Sequence, residues 1–161
     1  MKKINVLLIF MFIYFLPNSS FAQKPIKSFA QKYKFGIGVI AGEPTGITAK
    51  YNLDANLSVD SGLGWATSGD NEFHIYGTCI YHMYGLIKVP KGNLPLYFGG
   101  GFRFFKQAHK DNEFGIRIPV GVEYQFENLP IGAFVELAPV VNLTPDTDLD
   151  LEGGIGIRYF F

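Results

Sequence analysis

With 161 residues and 14 basic side chains balanced by 14 acidic ones, the chain has the length of one domain and carries no net field that would draw it to nucleic acid. Its single cysteine excludes an intramolecular disulfide framework, and nineteen Gly, sixteen Phe and nine Tyr suit short strands, tight turns and aromatic girdles.

Met1 to Ala22 has the parts of a secretory signal peptide. Lys2 and Lys3 form a charged start, Ile4 to Leu16 is apolar apart from Asn5, and Ser20-Phe21-Ala22 sets small residues at the cleavage positions, so cleavage before Gln23 is expected. The apolar run is shorter than the roughly 20 residues a spanning helix needs, and no cysteine stands at the cleavage point to take a lipid. Residues 23–33 form a short N-terminal segment, and Lys24, Lys27, Lys32 and Lys34 crowd this start of the mature chain. Residues 34–161 hold no apolar segment long enough to span as a helix, so a membrane-embedded chain must close into a β-barrel, where every backbone group finds a partner.

Turn signals at Glu43-Pro44-Thr45-Gly46, Asp54-Ala55-Asn56, Thr67 to Asn71, Lys88 to Asn93, Gln107 to Asn112, Glu127 to Pro130 and Thr144 to Thr147 divide this region into strands. The predicted strands lie near 34–42, 47–54, 56–66, 72–86, 94–105, 113–126, 130–143 and 148–161. The fold class is all-β, an eight-stranded antiparallel up-and-down transmembrane barrel. Each strand alternates with period two. One parity is uncharged throughout, from Phe35, Ile37 and Val39 in the first strand to Ile155, Ile157, Tyr159 and Phe161 in the last. The opposite parity carries Lys50, Asp60, His74, His82, Arg103, Arg117, Glu123, Glu136, Asp150, Glu152 and Arg158, interspersed with glycines such as Gly36, Gly62, Gly121 and Gly156. The glycines set the direction: on a convex outer wall they only weaken strands, whereas inside a narrow barrel small residues must alternate with large ones. Ionic side chains therefore point inward and oily ones toward lipid. The inverse arrangement is a secreted, lipocalin-like ligand carrier. Pro119 and Pro139 fall inside predicted strands and each deletes a ladder hydrogen bond, so bulges, strand ends or different strand limits are expected there.

The closing strand ends with Gly156, Tyr159 and Phe161. In this the chain resembles the small eight-stranded outer-membrane β-barrel proteins, the superfamily of outer-membrane protein A and its loop-poor relatives, whose last strand carries a glycine and two aromatic positions spaced by one. Gly154 departs from that pattern, standing where a polar residue is usual. The resemblance implies a porin-like membrane protein of the bacterial outer membrane, exported through its signal peptide, inserted by the barrel assembly machinery and embedded as a monomer among outer-membrane lipids.

The interior charge network of Lys50, Asp60, Arg103, Arg117, Glu123, Glu136, Glu152 and Arg158 is the candidate functional site. An eight-stranded barrel is just wide enough for side chains to fill, so these ions must neutralise one another. Counting from the turns sets Glu123 and Arg158 on either side of Phe134, Arg117 and Glu152 on either side of Val140, and Arg103 beside Arg117. The reading is a closed salt-bridge core with a structural or surface-interaction role; the alternatives are a narrow solute or ion channel and a lipid-modifying enzyme. The enzyme alternative rests on His74 with Ser68 and Asp70 in the adjoining loop, but no deacylase or acyltransferase signature accompanies them. His82 is about 26 Å along the same strand at roughly 3.3 Å per residue, too far to share a metal with His74, and His109 belongs to a loop. Asp146, Asp148 and Asp150 have the opening spacing of a calcium loop, but Leu151 and Ile157 stand where Gly and Glu are required. No helix follows Gly36-x-Gly38 or Gly99-Gly100-Gly101, so neither predicts a phosphate cradle. Cys79 reads as a small filler on a strand face. No catalytic residue, cofactor or metal is assigned. With the N-terminus in the periplasm, all the external loops are short; the longest, Lys106 to Glu113, is the one able to touch a partner.

Overall fold

The computed structural model describes residues 29–65, 73–106 and 111–161; the signal peptide lies outside them. A helical turn, α1 (Phe29–Lys32), is followed by β1 (Phe35–Glu43), β2 (Thr45–Asn52), β3 (Leu57–Trp65), β4 (Phe73–Met83), β5 (Leu96–Lys106), β6 (Glu113–Arg117), β7 (Val120–Gln125), β8 (Ile131–Thr144) and β9 (Leu149–Phe160). All pairings are antiparallel; from β1 to β5 and from β8 to β9 they join sequence neighbours, and β1 also pairs β9. Strands β6 and β7 lie end to end between β5 and β8, so the nine strands fill eight places in one ring.

The predicted sixth strand, 113–126, is thus two strands, and proline is the reason. Ile118 donates to the Pro139 carbonyl at 2.9 Å, and Gly99 to the Pro119 carbonyl at 2.9 Å. In an antiparallel ladder each pair would be reciprocal, but neither proline has an N–H to return the bond. The register on either side of the gap is the same, Arg117 facing Val140 and Val120 facing Leu137. Pro119 therefore sits between strand ends, while Pro139 remains inside β8 without a bulge, opposite Leu151 of β9. The register shift in this part of the wall comes earlier, where Phe114 faces Thr144 and Gly115 faces Asn142, leaving Leu143 as the extra residue.

The predicted fourth strand also ends sooner, at Met83, and residues 84–95 form a connection rather than strand. The connection from β2 to β3 is tighter. Asp54 Oδ1 accepts the N–H groups of Asn56 at 2.7 Å and Leu57 at 2.8 Å, bonds that hold its carboxyl below the usual carboxylate range.

Alternation decides the two faces. Along β4, buried and exposed side chains alternate for ten residues from Phe73 to His82. The exposed set includes Val39, Trp65, Phe102, Leu137 and Ile155, whereas the interior holds Ile40, Tyr76, Ile80, Tyr97, Phe134 and Phe160 with the ionic side chains. Glycines make room for the aromatic rings: a side chain at Gly156 would meet the Phe134 ring, and one at Gly62 would meet Tyr76. The end of the barrel where β1 begins and β9 ends, here the terminal end, is covered by α1. Phe29 is buried with its ring 4.8 Å from those of Phe160 and Tyr33, and Asn52 donates to the Tyr33 carbonyl at 2.8 Å.

Candidate functional site: the ionic interior

Among the described residues, eight formally charged side chains are buried in the interior, four cations (Lys50, Arg103, Arg117, Arg158) and four anions (Asp60, Glu123, Glu136, Glu152). Each is delivered by the inward parity of a strand, and they fall into two clusters stacked along the barrel.

In the cluster nearer the terminal end, Lys50 of β2 donates to Glu123 of β7 at 2.7 Å. Arg158 of β9 binds both oxygens of Asp60 on β3 at 2.9 Å and reaches Glu123 at 3.4 Å. Thr48 and His82 complete the set: Thr48 Oγ1 accepts from Arg158 Nη2 at 2.8 Å, and His82 Nε2 lies 2.8 Å from Lys50 Nζ. Lysine is a donor only, so that nitrogen of His82 is the acceptor, and its Nδ1 donates to the Asn56 carbonyl at 3.1 Å.

In the second cluster, Arg117 of β6 bridges Glu136 of β8 at 2.6 Å and Glu152 of β9 at 2.9 Å. Arg103 of β5 takes the other oxygen of Glu152 at 2.8 Å and fans out to Asn142 at 2.7 Å, Glu113 at 2.7 Å and Asp150 at 2.8 Å. Tyr97 donates to Glu136 at 2.9 Å. Each cluster has an aromatic ring against it: the Arg117 guanidinium lies 4.1 Å from the Tyr76 centroid and Arg158 lies 3.9 Å from that of Phe134, close enough for cation–π attraction.

Chemically, this arrangement holds charge in place. Each guanidinium group has carboxylates within hydrogen-bond distance, the condition under which buried ions are tolerated, while Arg103 Nε and Arg117 Nη1 have no partner among the described residues. A groove of about 730 Å³ lies instead on the outer wall, lined by apolar residues of β1, β8 and β9 that include Val39, Ala41, Ala133, Val135, Ile155 and Ile157.

Among solved structures, the chain is similar to the crystal structure of the N-terminal β-barrel domain of Pseudomonas aeruginosa OprF, with a TM-score of 0.57 and 16% identity over 79% of this chain and 96% of that one. It is also similar to a structure from the de novo design of transmembrane β-barrels, with a TM-score of 0.54 and 18% identity over 86% of this chain and 98% of that one. The fold is that of a transmembrane β-barrel. No family model matches the sequence, and no curated protein matches it.

Within this barrel, the pairs expected from turn counting meet: Glu123 with Arg158 at 3.4 Å and Arg117 with Glu152 at 2.9 Å. Arg103 and Arg117 share Glu152 between them. Asp150 is a correction. Its parity is that of the interior, but it stands at the mouth with its side chain 47% exposed, because β9 begins just before it, at Leu149. His74 is buried, with Nε2 3.4 Å from Glu152 but not aligned for a hydrogen bond. Ser68, Asp70 and His109 lie outside the described residues. Among the described residues, no group of three His, Cys, Asp or Glu side chains is placed to hold a metal. Cys79 is exposed on the outward face of β4. Gly156 lies over Phe134, and Tyr159 and Phe161 face outward with their rings 5.0 Å apart.

Sequence reasoning missed the Lys50–Glu123, Asp60–Arg158 and Arg103–Glu152 pairs, which join non-adjacent strands across the lumen. Ladder register says nothing about reach across a barrel. The inward Thr48, Tyr97 and Asn142, all buried hydrogen-bonding partners of the ions, were legible only as uncharged members of the inner parity.

Proposed function

We propose that the chain is a small bacterial outer-membrane barrel, related to the superfamily of outer-membrane protein A, whose role is structural or surface-interacting and whose lumen is closed to solutes. The observation that carries this reading is the filling of the lumen by four buried cations and four buried anions. A conducting pore needs mobile water along its axis, whereas these ions are fixed on one another and packed against the rings of Tyr76 and Phe134. In this reading the protein is a monomer among outer-membrane lipids, inserted by the barrel assembly machinery, and performs no catalysis. The glycine and two aromatics of the closing strand, Gly156, Tyr159 and Phe161, support the route to that membrane.

Reconstitution in planar bilayers tests the closed lumen. The wild type is expected to give no sustained unitary current, and Arg117→Ala is expected to lose stability without gaining one. Uniform unitary currents in the wild type would show that the lumen conducts.

A further inference from the structure

We propose that the connection 84–95 is a contact site for anionic lipid headgroups at the terminal end of the barrel. In membrane barrels the turns on the side of the termini are short and long loops gather on the opposite side. Here the other described connections at the terminal end, residues 53–56 and 126–130, are brief, and 84–95 is the exception.

Its base is built into the wall. Tyr124 donates to the Lys91 carbonyl at 2.9 Å, Asn93 and Gln125 exchange backbone hydrogen bonds at 3.0 and 2.8 Å, and Gln125 donates to the Tyr84 hydroxyl at 3.2 Å. Gly85 and Gly92, with φ of 81° and 72°, supply backbone turns that other residues resist. The pinned segment leaves Leu86 64% exposed and Ile87 40% exposed at its tip, flanked by the exposed Lys88 and Lys91.

Depth names the partner. The outward tyrosines of the wall, Tyr51, Tyr81, Tyr124 and Tyr159, all lie near the terminal end, and tyrosine belts mark the level of the headgroups. The connection leaves β4 just beyond Tyr81, so its apolar tip and lysines emerge at that level. Charge agrees: among the described residues this end carries Lys32, Lys34, Lys88 and Lys91 against Asp54 and Glu127, whereas the opposite end carries Lys106 against Glu43, Asp111, Glu113, Asp146, Asp148 and Asp150. Apolar residues beside lysines at an interface are the combination that holds peripheral segments on anionic bilayers.

The test uses the full mature chain refolded into vesicles of phosphatidylcholine with phosphatidylglycerol, one of the two lipids being brominated near the headgroup. An environment-sensitive dye is attached at Leu86→Cys in a Cys79→Ser background, or at the native Cys79 as a mid-wall control. The dye at position 86 is expected to be quenched preferentially by brominated phosphatidylglycerol, the preference falling about fivefold for each lysine removed in Lys88→Gln and Lys91→Gln. Equal quenching by both lipids, or a preference that survives the double substitution, overturns the proposal. So does a dye quenched by neither lipid, which would place the tip in water facing a soluble partner. Quenching at Cys79 by vesicles of the same composition brominated in mid-chain separates these outcomes from failure of the membrane assignment, since a mid-wall site unquenched by mid-chain bromine would sink the embedding itself.

Discussion

The two ionic clusters use the same side chains in different surroundings. The cluster of Lys50, Asp60, Glu123 and Arg158 is sealed, every member 2% exposed or less. The other cluster runs out to the end opposite the terminal end, where Arg103 binds the half-exposed Asp150 and the part-exposed Glu113. An ion removed from the sealed group strands its partners where water cannot reach them, whereas a carboxylate at the mouth can be rehydrated. Nearly identical bond lengths, 2.7 Å for Lys50–Glu123 and for Arg103–Glu113, therefore stand for unequal contributions to stability.

Substitutions graded by depth sharpen this contrast, read as urea unfolding of protein refolded into lipid vesicles and followed by the fluorescence of Trp65. Arg158→Met is expected to cost most, about 3–5 kcal/mol, because Asp60 loses both bonds from Arg158 and Glu123 loses one of its cations. Lys50→Met should cost less, about 1.5–3 kcal/mol, since Arg158 still faces Glu123. Arg103→Met is expected to cost about 1 kcal/mol, as Glu152 keeps Arg117 and the carboxylates at the mouth turn to water. Its cost should also shrink in high salt, while that of Arg158→Met should not. A cost for Arg103→Met equal to that for Arg158→Met would break the comparison. The smallest effect is expected for Thr78→Val: Thr78 is buried and its hydroxyl has no hydrogen-bond partner among the described residues, so the isosteric methyl should raise stability by about 1 kcal/mol.

The wall was legible because alternation is local. Phe73 to Met83 reads as a two-faced strand from its own residues, and it is one. Reading failed where local pattern and tertiary demand diverge. Leu86 and Ile87 prolong the apolar character of β4, yet they belong to a connection held by Gln125 and Tyr124 of another strand. Pro119 announced trouble in its strand, but the outcome of a clean gap with no slip depended on Pro139 standing opposite Ile118. The ionic site was half legible. Glu123–Arg158 followed from turn counting through Phe134, whereas Asp60–Arg158 crosses from β3 to β9 and leaves no trace in the spacing.

Sequence alone determined which side chains face lipid and which face the lumen, because the period of a strand is a property of the backbone and needs no partner. It also determined that the inward charges must balance, since a narrow interior of low dielectric admits no surplus. Only the tertiary structure decided who pairs with whom, because closing the ring brings residues from opposite walls within reach of one another. Lys50 and Asp60 are direct neighbours across the β2–β3 ladder, yet their short ion pairs are with Glu123 and Arg158, on the far side of the lumen.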